Sequence, residues 1–206
     1  MKDQSKGSHL FVISGPSGVG KNTIIREIMN RVDGLSYSVS HTTRPPRKGE
    51  VNGRDYYFVD EETFKKMIEN GEFVEWAKVY SDYYGTSFFS IREKLSQGKD
   101  VILDLDVQGG MNIKKYFKNS TLIFVLPPSI EELKKRLKKR GTDERTIEER
   151  LSNLKYEIEM AESYDFIVLN DRLKDAVKET EAIIISERCK KEKRIGLINE
   201  FLRRLK

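Results

Sequence analysis

Residues 14–23 read "SGPSGVGKNT", between an apolar run, "HLFVI" (9–13), and a segment with apolar residues at Ile24, Ile25, Ile28, Met29 and Val32. Gly15, Pro16, Ser17, Gly18, Val19, Gly20 and Lys21 follow the phosphate-loop pattern G-x-x-x-x-G-K-[ST], with Asn22 in its last place and Thr23 next. The chemistry this predicts is polyphosphate binding, with residues 15–23 as the ATP-binding stretch. Glycines let backbone N–H groups converge on anionic oxygens, a helix N-terminus adds partial positive charge, and Lys21 reaches the outer phosphates. Asn22 stands where a hydroxyl normally meets magnesium. An amide carbonyl is also a hard oxygen ligand, so Asn22 is expected to help position the ion directly or through water. In "VILDLD" the acids Asp104 and Asp106 are two apart and share a strand face. A strand-end acid beside a phosphate loop is the usual partner of the ion.

Other groups suit a second substrate. "SHTTRPPR" carries Arg44 and Arg47, whose guanidinium forks match phosphate oxygens, and Tyr56 and Tyr84 could add phenolic hydroxyls. Glu75, in "EFVEWAKV", offers a carboxylate that could accept both the N1–H and N2–H₂ donors of guanine; adenine lacks that donor pair. An ordinary surface acid would look the same in composition. Arg136 and Arg140 are four apart and share a helix face. With Arg150 they could close over transferring phosphates, though composition alone favours a solvated helical surface.

These residues need elements to hold them. Residues 9–32 read as strand, turn and helix; Tyr37–Ser40 and Tyr56–Val59 as short strands; 61–71 as a helix closed by Gly71; and 72–87 as strand, turn and strand. Segments 100–109, 121–129 and 164–171 read as buried strands. Residues 130–163 read as a helical hairpin interrupted at Gly141, and about 173–187 as a further helix. Apolar strands alternating with helices predict an α/β fold around a parallel sheet. The Tyr- and Arg-rich residues 36–90 form a small lobe of short strands, and the charged hairpin is a second excursion.

The chain has 206 residues, 37% apolar and 34% charged, enough for one compact core. No apolar run approaches the ~20 residues of a membrane span, and residues 1–8 lack the apolar centre of a secretory signal. One cysteine, Cys189, excludes an internal disulfide; with only His9 and His41 there is no zinc-type cluster, and a cytoplasmic location is expected. Residues 190–206 hold seven basic and two acidic residues, which is the whole formal net charge of +5. The body is neutral and argues against a nucleic-acid partner. The tail pattern, with Ile195, Ile198, Phe201, Leu202 and Leu205, predicts a terminal helix packed on the core or on a sister subunit. Binding to an acidic partner or an anionic surface is the less favoured reading.

Taken together, "ISGPSGVGK", "SVSHTTRPPRKGEVNGRDYYFV", "GEFVEWA", "YYGT", "ILDLDVQG", "PPS", "RGTDE" and "VLND" resemble the guanylate kinase family along nearly the whole chain. The resemblance implies a P-loop nucleoside monophosphate kinase with a parallel-sheet core (about 1–35, 91–130 and 160–206), a mixed α/β GMP-binding lobe (about 36–90) and a helical lid (about 131–159). It implies the reaction ATP + GMP = ADP + GDP with Mg²⁺ in purine nucleotide metabolism. The expected partners are ATP and GMP, with no nucleic acid or membrane, in a monomer or homo-oligomer. By matched positions, Ser40, Glu75, Thr86 and Asp106 would recognise guanine. Arg44, Arg47, Tyr56 and Tyr84 would hold the GMP phosphate. Lys21, Arg136, Arg140 and Arg150 would neutralise the transferring group, and Asp104 would order magnesium waters. Asn22 departs from the pattern; Thr86, where some members have Ser, keeps the hydroxyl. Guanylate-kinase-like modules that only bind protein partners usually have damaged phosphate loops. Here the glycines and Lys21 are intact, so an enzyme is expected.

Overall fold

The structure is a computed structural model, and it describes residues 7–79 and 81–205. In chain order, β1 (Leu10–Ser14) leads to α1 (Lys21–Met29), and β2 (Leu35–Tyr37) leads to β3 (His41–Thr42) and β4 (Tyr57–Phe58). Then come α2 (Glu61–Glu69), β5 (Phe73–Val79), β6 (Asp82–Ser87), α3 (Phe88–Ser96), β7 (Asp100–Asp104), α4 (Val107–Tyr116) and β8 (Thr121–Leu126). The chain continues through α5 (Ile130–Lys139), α6 (Glu144–Ser152), α7 (Leu154–Met160), β9 (Phe166–Leu169), α8 (Leu173–Cys189) and α9 (Lys191–Arg204).

The central sheet has the order β2-β7-β1-β8-β9, and every pair is parallel. Its middle strands are buried on both faces, which is why they read as unbroken apolar runs. Alternation along β1 still separates two cores. Phe11 and Ile13 pack with Ile24 and Ile28 of α1 and Ile184 of α8. Leu10 and Val12 pack with Ile91 of α3 and Ile113 of α4. The phosphate loop and both acids of "LDLD" therefore emerge at the carboxyl edge of the sheet, where α/β folds place their ligands.

A second sheet, ordered β4-β3-β6-β5, is antiparallel except for its β3–β4 pair. Phe64 of α2 stacks on Phe73 with centroids 4.4 Å apart and on Tyr83 at 5.3 Å, which gives this sheet a core of its own. Asp60 caps α2 by accepting from the Thr63 N–H at 2.7 Å, and Gly71, at φ 64°, closes it as expected.

The expected strand over Tyr37–Ser40 is divided. β2 ends at Tyr37, β3 begins at His41, and residues 38–40 carry the chain from one sheet to the other. The hairpin expected over 130–163 breaks at Gly141 and again at Asn153, giving α5, α6 and α7. Helices α3 and α4 were not anticipated. Gly109 and Gly110 make α4 a poor helix by propensity. Close packing favours both, because a methyl group at Gly110 would stand 2.3 Å from Tyr164 Oη and force it to shift, and one at Gly109 would press on Glu75 Cγ at 3.3 Å. The tail is helical, but α9 has no buried residue, so the expected packing on the core is not found.

Candidate active site

The turn from β1 into α1 is shaped by backbone that side chains rarely tolerate. Gly15 has φ 143°, and a Cβ there would meet the Val125 carbonyl oxygen at 2.3 Å. Gly20, the residue before α1, is left-handed, and its Cβ would meet Asn170 Nδ2 at 2.6 Å. No side chain caps α1. Its leading N–H groups face the loop, an arrangement suited to anions. Lys21 donates to the Gly15 carbonyl at 2.7 Å and lies 3.7 Å from Asp104 Oδ1. Burial raises the pKa of Asp104, and the Lys21 ammonium opposes that rise. Asn22 is exposed on the first turn of α1.

Asp104 and Asp106 belong to one strand end and serve two places. Asp104 faces Lys21. Asp106 caps α4, accepting from the Gly109 N–H at 2.7 Å, on the side where Glu75 approaches Gly109. Glu75 and Thr86 are partners in the β5–β6 register, and Thr86, which is buried, places its hydroxyl 3.4 Å from that of Ser40. Burial raises the Glu75 pKa first and Asp106 adds to it, while hydrogen bonding from Thr86 opposes the rise. The crossover at 38–40 and the β5–β6 pair thus bring Ser40, Glu75 and Thr86 together, with Glu75 approaching the helix that Asp106 caps.

The two arginines of "TTRPPR" are organised by a residue that the sequence reading passed over. Glu50 accepts a bidentate pair from Arg44, at 3.0 and 2.9 Å, and the Arg47 backbone N–H at 2.6 Å. The Arg44 guanidinium lies over the Tyr56 ring, 5.4 Å from its centroid, and Tyr56 contacts Tyr84 edge-on at 6.0 Å. Arg44, Tyr56 and Tyr84 are thereby brought together, whereas the Arg47 side chain remains exposed.

From the other side, α5 and α6 close on the phosphate loop. Arg136 donates to the Val19 and Asn170 carbonyls at 3.3 and 3.1 Å and pairs with Glu132 at 3.1 Å. Arg150 donates to the Ser17 hydroxyl at 2.7 Å. Arg140 is exposed and lines, with Arg136, Lys139, Gly18, Gly20, Thr23, Asn170, Asp171 and Leu173, a cleft of about 540 Å³. This fold brings Arg136 and Arg150 to the loop itself and Arg140 to the wall of the adjoining cleft.

Residues 7–187 match the model of the guanylate kinase family. The chain belongs to the guanylate kinase family. It is 46% identical over 193 residues to guanylate kinase of Thermotoga maritima, covering 93% of each chain. It is 46% identical over 192 residues to guanylate kinase of Clostridioides difficile, covering 93% of this chain and 94% of that one. The crystal structure of guanylate kinase from Anaplasma phagocytophilum superposes with a TM-score of 0.70 at 31% identity, covering 91% and 90% of the two chains.

Within this guanylate kinase architecture, three site residues escaped the sequence reading besides Glu50. Asn170 is buried and donates to the Val19 carbonyl at 2.7 Å, tying the end of β9 to the phosphate loop, and Asp171 lines the cleft beside it. Its signal was an Asn-Asp pair ending an apolar parallel strand. Glu157 of α7 is half-buried; burial raises its pKa first, the Lys21 charge opposes the rise and Asp106 adds to it. In sequence it is one acid among many on a charged helix.

Proposed function

We infer that this cleft transfers the γ-phosphoryl group of ATP to GMP, giving ADP and GDP. The chain is a phosphotransferase of the guanylate kinase family, and the observation that supports the residue roles best is the end of β7. There one acid faces the phosphate loop and the next but one faces the Glu75 pocket, so donor and acceptor meet across two residues.

The ATP phosphates lie on the backbone of residues 15–23, and the nucleoside end occupies the cleft of about 540 Å³. Glu75 accepts the guanine N1–H and N2–H₂ donors, with Ser40, Thr86 and Asp106 completing the base pocket. Arg44, Arg47, Tyr56 and Tyr84 hold the acceptor phosphate, with Glu50 keeping Arg44 in orientation until the phosphate replaces it. The GMP phosphate oxygen attacks in line, and no covalent enzyme intermediate is needed. Lys21, Arg136, Arg140 and Arg150 stabilise the charge on the equatorial oxygens. The core, the 36–90 lobe and the 131–159 lid are the working parts, and their closure excludes water that would otherwise hydrolyse ATP.

A magnesium site fits the donor set. No group of three or more His, Cys, Asp or Glu that could cage a metal occurs among the described residues. That suits an ion bound by one carboxylate, waters and substrate phosphates. Asp104 would order its waters, and the Asn22 amide would help position it directly or through water. The chemistry supplied by Mg²⁺ there would be charge compensation of the transferring phosphates.

No helix among the described residues is long and apolar enough to cross a membrane, and the single cysteine supports a reducing cytoplasmic setting in purine nucleotide metabolism. The deciding experiment is a coupled assay of ADP formation with ATP and each of GMP, AMP, CMP and UMP. GMP should be turned over far faster than the rest. Comparable turnover of AMP would remove the guanine assignment, and ATP binding without turnover would make the chain a binding module.

A further inference from the structure

Helix α9 lies beyond residue 187, where the family match ends, and contributes nothing to the nucleotide cleft. At about 100° per residue, Ile195, Ile198, Phe201, Leu202 and Leu205 fall within an arc of about 120°. Their exposures run from 44% for Ile195 to 71% for Leu205, so the arc is uncovered along its whole length. The direction of the arc is fixed at the first turn. Lys193 donates to the Ser8 carbonyl at 2.7 Å, turning the polar side of the helix toward the body. The centre of the apolar arc is about 140° from Lys193 and faces away.

The charges around this arc select its occupant. Lys191 and Arg194 stand on the arc at its N-terminal end, and Arg203 and Arg204 lie about 140° and about 120° from its centre, on the polar side near the other end. Glu200 points almost directly away from the arc and pairs with Arg204. Residues 190–206 carry the whole net charge of the chain, +5. Two copies meeting through α9 would bring these like-charged segments together. An anionic surface with an apolar interior satisfies both the arc and the basic residues at its N-terminal end and on the polar side.

We propose that α9 is a peripheral anchor that lies in the interface of an anionic lipid bilayer, with its apolar arc among the acyl chains and its Lys and Arg ammonium and guanidinium groups on the headgroups. It departs from the sequence expectation of a tail packed on the core or a sister subunit and of no membrane partner. The anchor sits at the amino edge of the central sheet. Arg188, just before it, donates to Asp100 at the start of β7 at 2.7 Å, and Lys193 reaches Ser8 just ahead of β1. The phosphate loop is at the opposite, carboxyl edge, so an anchored molecule would present its cleft to solvent.

The test is co-sedimentation of the full chain with vesicles of phosphatidylglycerol and phosphatidylcholine in equal parts, beside vesicles of phosphatidylcholine alone. Salt is set at about 0.1 M and about 1 M, where the screening length falls from about 10 Å to about 3 Å. The chain should bind the mixed vesicles at low salt, at least tenfold more weakly on neutral vesicles, and lose binding at high salt. Phe201→Ser with Leu202→Ser, and separately Lys191→Glu with Arg203→Glu, should each weaken binding tenfold or more. All four positions are exposed, so melting temperature and turnover without vesicles should not change. Equal binding to both vesicle types overturns the proposal, and so does no sedimentation at all. A concentration-dependent dimer that Phe201→Ser with Leu202→Ser dissolves also overturns it, by assigning the face to a second copy.

Discussion

Glu75→Gln separates recognition of the acceptor base from every other task in the cleft. The side chain is nearly isosteric, and its surroundings are set by Thr86, Asp106 and Gly109. A carboxylate can accept two guanine donors; an amide keeps one acceptor and turns a donor toward the other. Hydrogen bonds to a charged group contribute about 1.5–3 kcal/mol each, so the change should remove about 2–4 kcal/mol, or roughly 30- to 1,000-fold in kcat/KM for GMP. The KM for ATP should stay within about twofold. Stability moves the other way. Burial holds the folded pKa of Glu75 above its unfolded value, so the proton-linked stability is present at low pH and lost as pH rises through the folded pKa. At neutral pH the carboxylate therefore weakens the empty fold, and Glu75→Gln should melt no lower than the parent. For the same reason the parent KM for GMP should climb as pH falls, beginning above the usual carboxylate range, and the Glu75→Gln protein should lack that step. Steady-state kinetics varying each nucleotide separately, with thermal melts alongside, decides it. Equal losses for ATP and GMP, or a loss accompanied by a lower Tm, would refute the assignment.

Asn22→Ala should lower kcat tenfold or more, about 1.4 kcal/mol, in a way that added Mg²⁺ partly restores; an unchanged Mg²⁺ dependence in kinetics would leave the amide no metal role. Arg150→Ala removes the contact to Ser17 and should reduce kcat by about 10- to 100-fold with little change in KM for GMP. Arg150→Lys should restore it only in part, because the planar fork is lost, and full recovery would count against bidentate phosphate contact. His9 is buried, and its pKa is lowered to about 4, by burial first and then by Lys193. Its contribution to stability is full above about 6.5 and should be lost as pH falls from 6.5 to about 4. The loss should be about 3 kcal/mol, read by urea denaturation, and His9→Gln should flatten that part of the curve.

How far the sequence reveals this site depends on the range over which each signal acts. The phosphate loop is local: three glycines, a lysine and a following helix occupy a dozen residues, and the structure reproduces them. Asp104 and Asp106 stood out for the same reason, as two acids at the end of an apolar run, but the shared strand face was not met: β7 ends at Asp104 and Asp106 caps α4. Asn170 was not, because its partner Val19 is joined to it only through the parallel packing of strand ends. Glu50 and Glu157 were hidden by composition, since a chain with 34% charged residues offers many acids with nothing to mark two of them. Helix α4 was obscured by Gly109 and Gly110, whose presence reflects the close approach of Glu75 and Tyr164 rather than local preference. The tail was read correctly as helical, but no periodicity can say whether an apolar stripe meets its own body, and here α9 does not.

The chain leaves the central sheet after Tyr37 and leaves the second sheet into α3 at Phe88, and the two crossing points are held side by side by the hydroxyls of Ser38 and Ser90, 3.3 Å apart. Everything assigned to the acceptor except Asp106 lies between them, and everything assigned to the donor lies outside. On the proposed residue roles, acceptor preference is inheritable as a cassette. A recombination with breakpoints at those two serines could exchange the base accepted while leaving the machinery that handles ATP untouched, with Asp106 the single position left to adapt.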